Sequence, residues 1–212
     1  MTVNYTVPAR KTRVDLKIKK SRFIATAAYT PSVDEAKEFI ADIKQEFSDA
    51  THNVPAYIIG NGASSVEQCR DDGEPGGTAG RPMLAVLKGS GLGDITVVVS
   101  RYFGGTKLGT GGLVQAYGHS VKEVLNALPR ARKTTIITLN LRMPYSHYEP
   151  VKRAAQMEDG VVSNEEFAVD VRFDVAFELP AWARFRIILA DRWPTRVDSD
   201  ELGEDVGILP DI

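Results

Sequence analysis

Cysteine is almost missing from this chain: Cys69 is the single one in 212 residues. One thiol cannot form an intramolecular disulfide, so nothing requires an oxidising compartment. Long apolar runs are missing too. None approaches the ~20 residues of a membrane-spanning helix. The opening MTVNYTVPARKTRVDLKIKK lacks the apolar core of a secretory signal. These absences lead to the expectation of a cytoplasmic protein with no membrane partner. Nucleotide fingerprints are lacking as well. There is no G-x-x-x-x-G-K-[ST], which excludes a Walker A loop, and no G-x-G-x-x-G with an acidic residue about 20 positions on, so a dinucleotide fingerprint is unsupported. No G-x-S-x-G marks a serine nucleophile. His52, His119 and His147 have no partners at metal-ligand spacing, and Cys69 sits in no nucleophile motif. The expectation is no cofactor and no metal site.

Charge of one sign is not in excess overall, with a formal net charge of −2, but it is unevenly placed. Residues 1–133 hold 18 Lys and Arg against 13 Asp and Glu, a net +5. Residues 134–212 hold 8 against 15, a net −7. A basic first part and an acidic second part suggest two units, with PRARK (residues 129–133) as the break and the boundary between 133 and 134. The basic excess permits contact with nucleic acid without demanding it.

Periodicity organises the first part. Val14, Leu16 and Ile18 alternate as in a strand, and a second strand can run over 23–29. Ser32 followed by Glu35 has capping-box spacing, and Val33, Ala36, Phe39, Ile40 and Ile43 recur at helical spacing, which predicts a helix over 33–47. PAYII (55–59) reads as a strand. Residues 81–87 are ambiguous and can form a helix with Pro82 in its first turn. DITVVVS (94–100) reads as a strand buried on both faces. Residues 113–128 carry the apolar stripe of a helix. In the second part, 134–143 reads as a strand, 148–156 as a helix, the vicinity of Val161 as a short strand, and 169–179 as a strand with Val169, Val171, Phe173, Val175 and Phe177 on one face. Pro180 opens a helix carrying Trp182, Phe185, Ile188 and Leu189. The β-α-β-β-α order approaches a ferredoxin-like arrangement, so the class is α+β. The acidic tail 198–212 is predicted to be mobile.

Two glycine-rich stretches stand out. RYFGGTKLGTGG follows a strand and precedes a helix, with five glycines in the nine positions from Gly104 to Gly112. Free N–H groups at a helix start, with Arg101 or Lys107 adding charge, can hold a phosphate or carboxylate. The alternative is that these glycines only allow tight turns and close packing. DDGEPGGTAGRP offers Asp71, Asp72 and Glu74, which can do acid–base work or bind a cation, or can form a solvated turn shaped by Gly73, Pro75, Gly76 and Gly77. The two stretches can also pair, Asp72 or Glu74 with Arg101 or Lys107. His52 becomes interesting if the fold brings it near Asp72 or Arg101. Tyr57, Tyr102 and Phe103 can stack on bases or fill core. Lys17, Lys19, Lys20 and Arg22 form a basic run, with Lys17 and Lys19 on the polar face of the first strand.

THNVPAYIIG, DDGEPGGTAGRPML and VVVSRYFGGTKLGTGGLVQAYG, in that order and spacing, resemble the signature of the IMPACT family, and KKSRFIATA resembles its N-terminal edge. The resemblance covers residues 17–128. Its matching positions are His52, Asp71, Asp72, Gly73, Glu74, Pro75, Thr78, Ala79, Gly80, Pro82, Arg101, Tyr102, Phe103, Gly104, Gly105, Lys107, Leu108, Gly109, Gly112 and Leu113. Gln115 stands where a basic residue is expected. The two-part layout is similar to the family's bacterial YigZ-type branch.

The resemblance implies an Impact N-terminal-type domain over 1–133 with the fold of ribosomal protein S5 domain 2. It also implies a ferredoxin-like domain over 134–212, similar to a C-terminal module of elongation factor G. It further implies a translation-linked regulator that binds RNA, the ribosome or a translation-factor partner, because eukaryotic relatives regulate translation. Those relatives use extra domains, such as an RWD module, that are not expected in this chain. No catalytic residue is carried over. Two alternatives stay open. One is a small phosphorylated-ligand or nucleotide-binding enzyme in which His52, Asp72 and Glu74 face a phosphate on the 104–112 loop. The other is a protein–protein interaction module with both loops architectural. On the binding reading, Arg101, Tyr102, Gly104, Gly105, Lys107, Gly109 and Gly112 form the contact surface. The sequence leaves the oligomeric state open.

Overall fold

The computed structural model describes residues 3–210, and of Pro210 only the backbone. The chain is mixed α and β and divides into two compact units. One is residues 5–132; the other is residues 133–209 with 3–4. The last two residues of the predicted mobile tail lie outside the described residues.

The first unit contains β1 (Asn4–Pro8), β2 (Thr12–Ile18), β3 (Ser21–Tyr29), α1 (Val33–Glu46), β4 (His52–Ile59), β5 (Val66–Cys69), α2 (Gly80–Gly89), β6 (Ile95–Tyr102) and α3 (Gly109–Ala127). Its antiparallel sheet runs β2-β3-β6-β4-β5. Side-chain alternation gives this sheet two faces. Phe23, Ala25 and Ala27 of β3, Val54, Ala56 and Ile58 of β4, and Ile95, Val97 and Val99 of β6 meet Met83 and Leu87 of α2 and Leu113, Tyr117, Val121 and Val124 of α3. Among the described helices of this unit, α1 packs on the opposite face, which carries Pro55, Tyr57 and Val98. Ser32 caps α1 as its spacing predicts, its Oγ accepting from Glu35 N at 3.2 Å.

Helix α3 starts at Gly109, four residues earlier than the apolar stripe suggests. First-turn N–H groups need no intrahelical partner, so a glycine-rich start is tolerated there. Lys19 is not on the face of β2. It lies in the β2–β3 turn with φ +53°.

The second unit contains β7 (Arg130–Met143), α4 (Tyr145–Met157), β8 (Val161–Phe167), β9 (Val171–Glu178), α5 (Leu179–Arg192) and β10 (Asp198–Pro210). Within this unit the sheet order is β7-β9-β8, and β10 also pairs with β7. Phe173 and Phe177 of β9 and Phe185 of α5 are fully buried, with the Phe177 and Phe185 rings stacked at 4.8 Å.

Three expectations are corrected in this part of the chain. The strand expected over 134–143 begins earlier, at Arg130 within PRARK, because basic side chains do not prevent the backbone from pairing. Val169 does not share the face of Val171 and Phe173. It precedes β9 and is 92% exposed. The acidic tail is a strand rather than a mobile segment, because strand pairing uses backbone groups and leaves its carboxylates outward.

Candidate functional site: two glycine stretches joined by a buried ion pair

The strand register builds the site. His52 of β4 and Phe23 of β3 both pair with Arg101 of β6, so the three lie in a row across the sheet. Arg101 alternates with Val97 and Val99, which turns its side chain to the core face under α2 and α3. It is 5% exposed. Its charge is met by Glu74, 7% exposed, whose Oε1 accepts from Arg101 Nη1 at 2.6 Å. The same oxygen accepts from the Tyr117 hydroxyl of α3 at 2.7 Å. Burial pushes the Tyr117 phenol well above its ordinary range, and its bond to Glu74 adds to that.

The guanidinium lies over Phe23 at 5.5 Å and under Phe103 at 5.7 Å. Its Nε–H is buried without an acceptor. The Nδ1 of His52 lies 2.8 Å from the Asp72 carbonyl oxygen. A carbonyl only accepts, so Nδ1 carries the hydrogen. Nε2 then faces Glu74 Oε1 at 3.8 Å.

The other two carboxylates shape the loop. Asp71 accepts from the backbone N–H groups of Gly77, Ala79 and Gly80, at 2.8, 3.1 and 2.8 Å. That caps the start of α2. Burial works to raise the Asp71 pKa, but the three N–H donors outweigh it and hold the carboxyl below its usual range. Asp72 accepts from Lys44 Nζ at 2.5 Å and from Asn53 N at 2.7 Å. Thr78 Oγ1 donates to the Pro75 carbonyl at 2.7 Å. Gly80 is obligatory, since a Cβ there would lie 2.7 Å from the Arg70 carbonyl oxygen.

The second stretch is more exposed. Tyr102 donates to Asp49 at 2.6 Å. Phe103 is 46% exposed, and Lys107, Gly105 and Gly109 lie at the surface. A Cβ on Gly104 would fall 1.8 Å from the Lys20 carbonyl oxygen. This close approach sets the Lys19–Lys20 turn directly against the loop carrying Phe103 and Lys107.

The structure therefore gathers His52, Asp72, Glu74 and Arg101 and leaves Lys107 outside the group. Arg101, expected on a contact surface, is buried because its register puts it on the core face. Sequence reasoning missed Tyr117, hidden in the apolar stripe of α3, and Lys44 and Asn53. Alternation along VVVSR was the available signal for Arg101. Among the described residues, no three His, Cys, Asp or Glu side chains gather so as to hold a metal ion, and no helix is long and apolar enough to cross a membrane.

Comparison with known proteins agrees with the motif geometry. The Impact N-terminal domain family model matches residues 19–125. IMPACT family member YigZ of Escherichia coli (strain K12) is 41% identical over 189 residues, spanning 89% of this chain and 93% of that one. IMPACT family member YvyE of Bacillus subtilis (strain 168) is 38% identical over 164 residues, spanning 77% of this chain and 75% of that one. A crystal structure described as that of a hypothetical protein is 38% identical and has a TM-score of 0.63. The match covers 97% of this chain and 100% of that one. The chain belongs to the IMPACT family.

Proposed function

We propose that this chain is a translation-linked regulatory protein that acts by binding, with RNA on a basic lip of the first unit, rather than by catalysis. The observation that carries the reading is the Gly104–Lys20 approach, which brings two exposed lysines against an exposed phenylalanine and a third lysine. Lys19, Lys20 and Lys107 supply phosphate contacts, and Phe103 supplies a face for a base. The uncapped first turn of α3, with Gly109 and Gly112, adds backbone donors. Arg101 then acts as a positioning residue that holds the lip from below. Membership of the IMPACT family supports the link to translation.

The proposal includes a domain division at 133/134, which the two compact units support. It includes an S5 domain 2-like first domain. The second domain is ferredoxin-like, a reading supported by the β7-α4-β8-β9-α5-β10 order with β9 between β7 and β8.

The enzyme alternative draws on His52, whose Nε2 faces Glu74. It is disfavoured because Asp71, Asp72 and Glu74 already hold partners within the protein. The test is fluorescence anisotropy of the full chain with a labelled single-stranded RNA. Saturable binding, weakened about tenfold or more by the Lys20→Glu, Lys107→Glu double variant, is expected. No affinity at about 50 mM salt would remove the RNA reading. Partner capture insensitive to RNase would replace it with a protein partner.

A further inference from the structure

The first unit has a groove on the side of the sheet away from the Glu74–Arg101 pair. Helix α1 packs on this face against β4 and β6, and the groove remains toward the β4–β5 edge. The space left is about 320 Å³, between Ile40 and Ala41 of α1 and Pro55 and Tyr57 of β4, extending to Gln68 and Arg70. Tyr57 is buried, and its hydroxyl donates to Gln68 Oε1 at 2.5 Å. That bond fixes the ring as part of the floor. The volume is at the small end of the range for small-molecule sites.

The rim has one sign of charge. Lys37, Lys44 and Arg70 line the groove, and no carboxylate does. Lys44 is held by the part-buried Asp72, and Lys37 pairs with Asp34 where both are open to solvent. An exposed pair such as Lys37–Asp34 is weak and easily exchanged. The exposed Arg70 side chain has no hydrogen-bond partner among the described residues, so its planar fork is free for a bidentate anion. An apolar floor with a cationic rim selects for a particular chemistry.

We propose that this groove binds a small molecule that joins one flat apolar ring system to one anionic group, a carboxylate, sulfonate or phosphate. The ring lies over Pro55 and Tyr57, and the anion sits between Arg70 and the α1 lysines. The proposal stands independently of the RNA reading, whose residues lie elsewhere.

The test is an NMR titration of the full ¹⁵N-labelled chain with naphthalene-2-sulfonate, with uncharged 2-methylnaphthalene as comparison. Saturable shifts are expected in residues 37–44, 55–57 and 68–70, with the uncharged probe about tenfold weaker or more. Arg70→Glu removes the free fork and Ala41→Trp fills the groove. Both positions are exposed, so native spectral dispersion should persist while sulfonate affinity falls about tenfold or more in each. Should Ala41→Trp fail to fold, Lys37→Glu serves as the second variant, with the same expected fall. Shifts scattered over the surface, equal binding of the uncharged probe, or undiminished binding by the variants would overturn the proposal.

Discussion

Glu74 and Arg101, 27 positions apart, form a buried ion pair at 2.6 Å that ties one glycine-rich stretch to the other. Breaking one partner leaves the other charged in a dry site. Arg101→Ala or Glu74→Ala should therefore cost about 3–5 kcal/mol, far more than an exposed pair would. Tyr117→Phe, which removes one donor to the same carboxylate, should cost about 1 kcal/mol. Urea denaturation of the single variants measures both. A cost for Glu74→Ala comparable to that of Tyr117→Phe would show that the pair does not hold the loops.

Asp71 should give the fold a low-pH dependence. Its folded-state pKa is depressed, so its contribution is present above the ordinary aspartate range and is lost as pH falls through the depressed value. Asp71→Ala should cost about 1–2 kcal/mol at neutral pH, the scale of a lost helix cap. The gap between native and variant stability should narrow below about pH 4. Thermal unfolding of both proteins across that range checks the sign.

Gly104 and Gly105 should respond differently to alanine. At Gly104 a Cβ meets a backbone oxygen at 1.8 Å, so the β2–β3 turn must move. Gly105 has φ +81° but open space around its Cβ position. Gly105→Ala should cost about 1–2 kcal/mol from backbone strain alone. Gly104→Ala should cost more and also weaken RNA binding, because Lys19 and Lys20 shift with the turn. Melting temperature and RNA affinity read the two effects separately.

The β10 strand should be protected. Its pairing with β7 predicts slowed amide hydrogen exchange within residues 198–209, where a mobile acidic tail would exchange at once. Mass-spectrometric exchange at neutral pH distinguishes the two.

Local signals were legible where one segment carries its own pattern. The β-branched run of β6, the apolar stripe of α3 and the Ser32–Glu35 capping box are each written within a single short segment. What failed depends on pairing across the chain. β5, with the sequence VEQC, is a polar edge strand without alternation, and β10 is acidic because residues 198–206 are all exposed to water. The site was half-legible. Pairing of Glu74 with Arg101 was one of the options open from charge alone. His52, Arg101 and Phe23 share a row only through the register of three strands, and no local spacing encodes that. Tyr117 looked like core because its ring is core, packed edge-on against Phe23 at 5.4 Å. Only its hydroxyl belongs to the polar group.

The most direct test of the basic lip is the salt dependence of RNA binding by the full chain. For a single-stranded RNA, the slope of log affinity against log salt should be negative. Replacing Lys19, Lys20 and Lys107 by Gln should flatten it by about 0.7 for each phosphate that is no longer neutralised. An unchanged slope in the triple variant, or a native chain with no RNA affinity at low salt, would contradict the account.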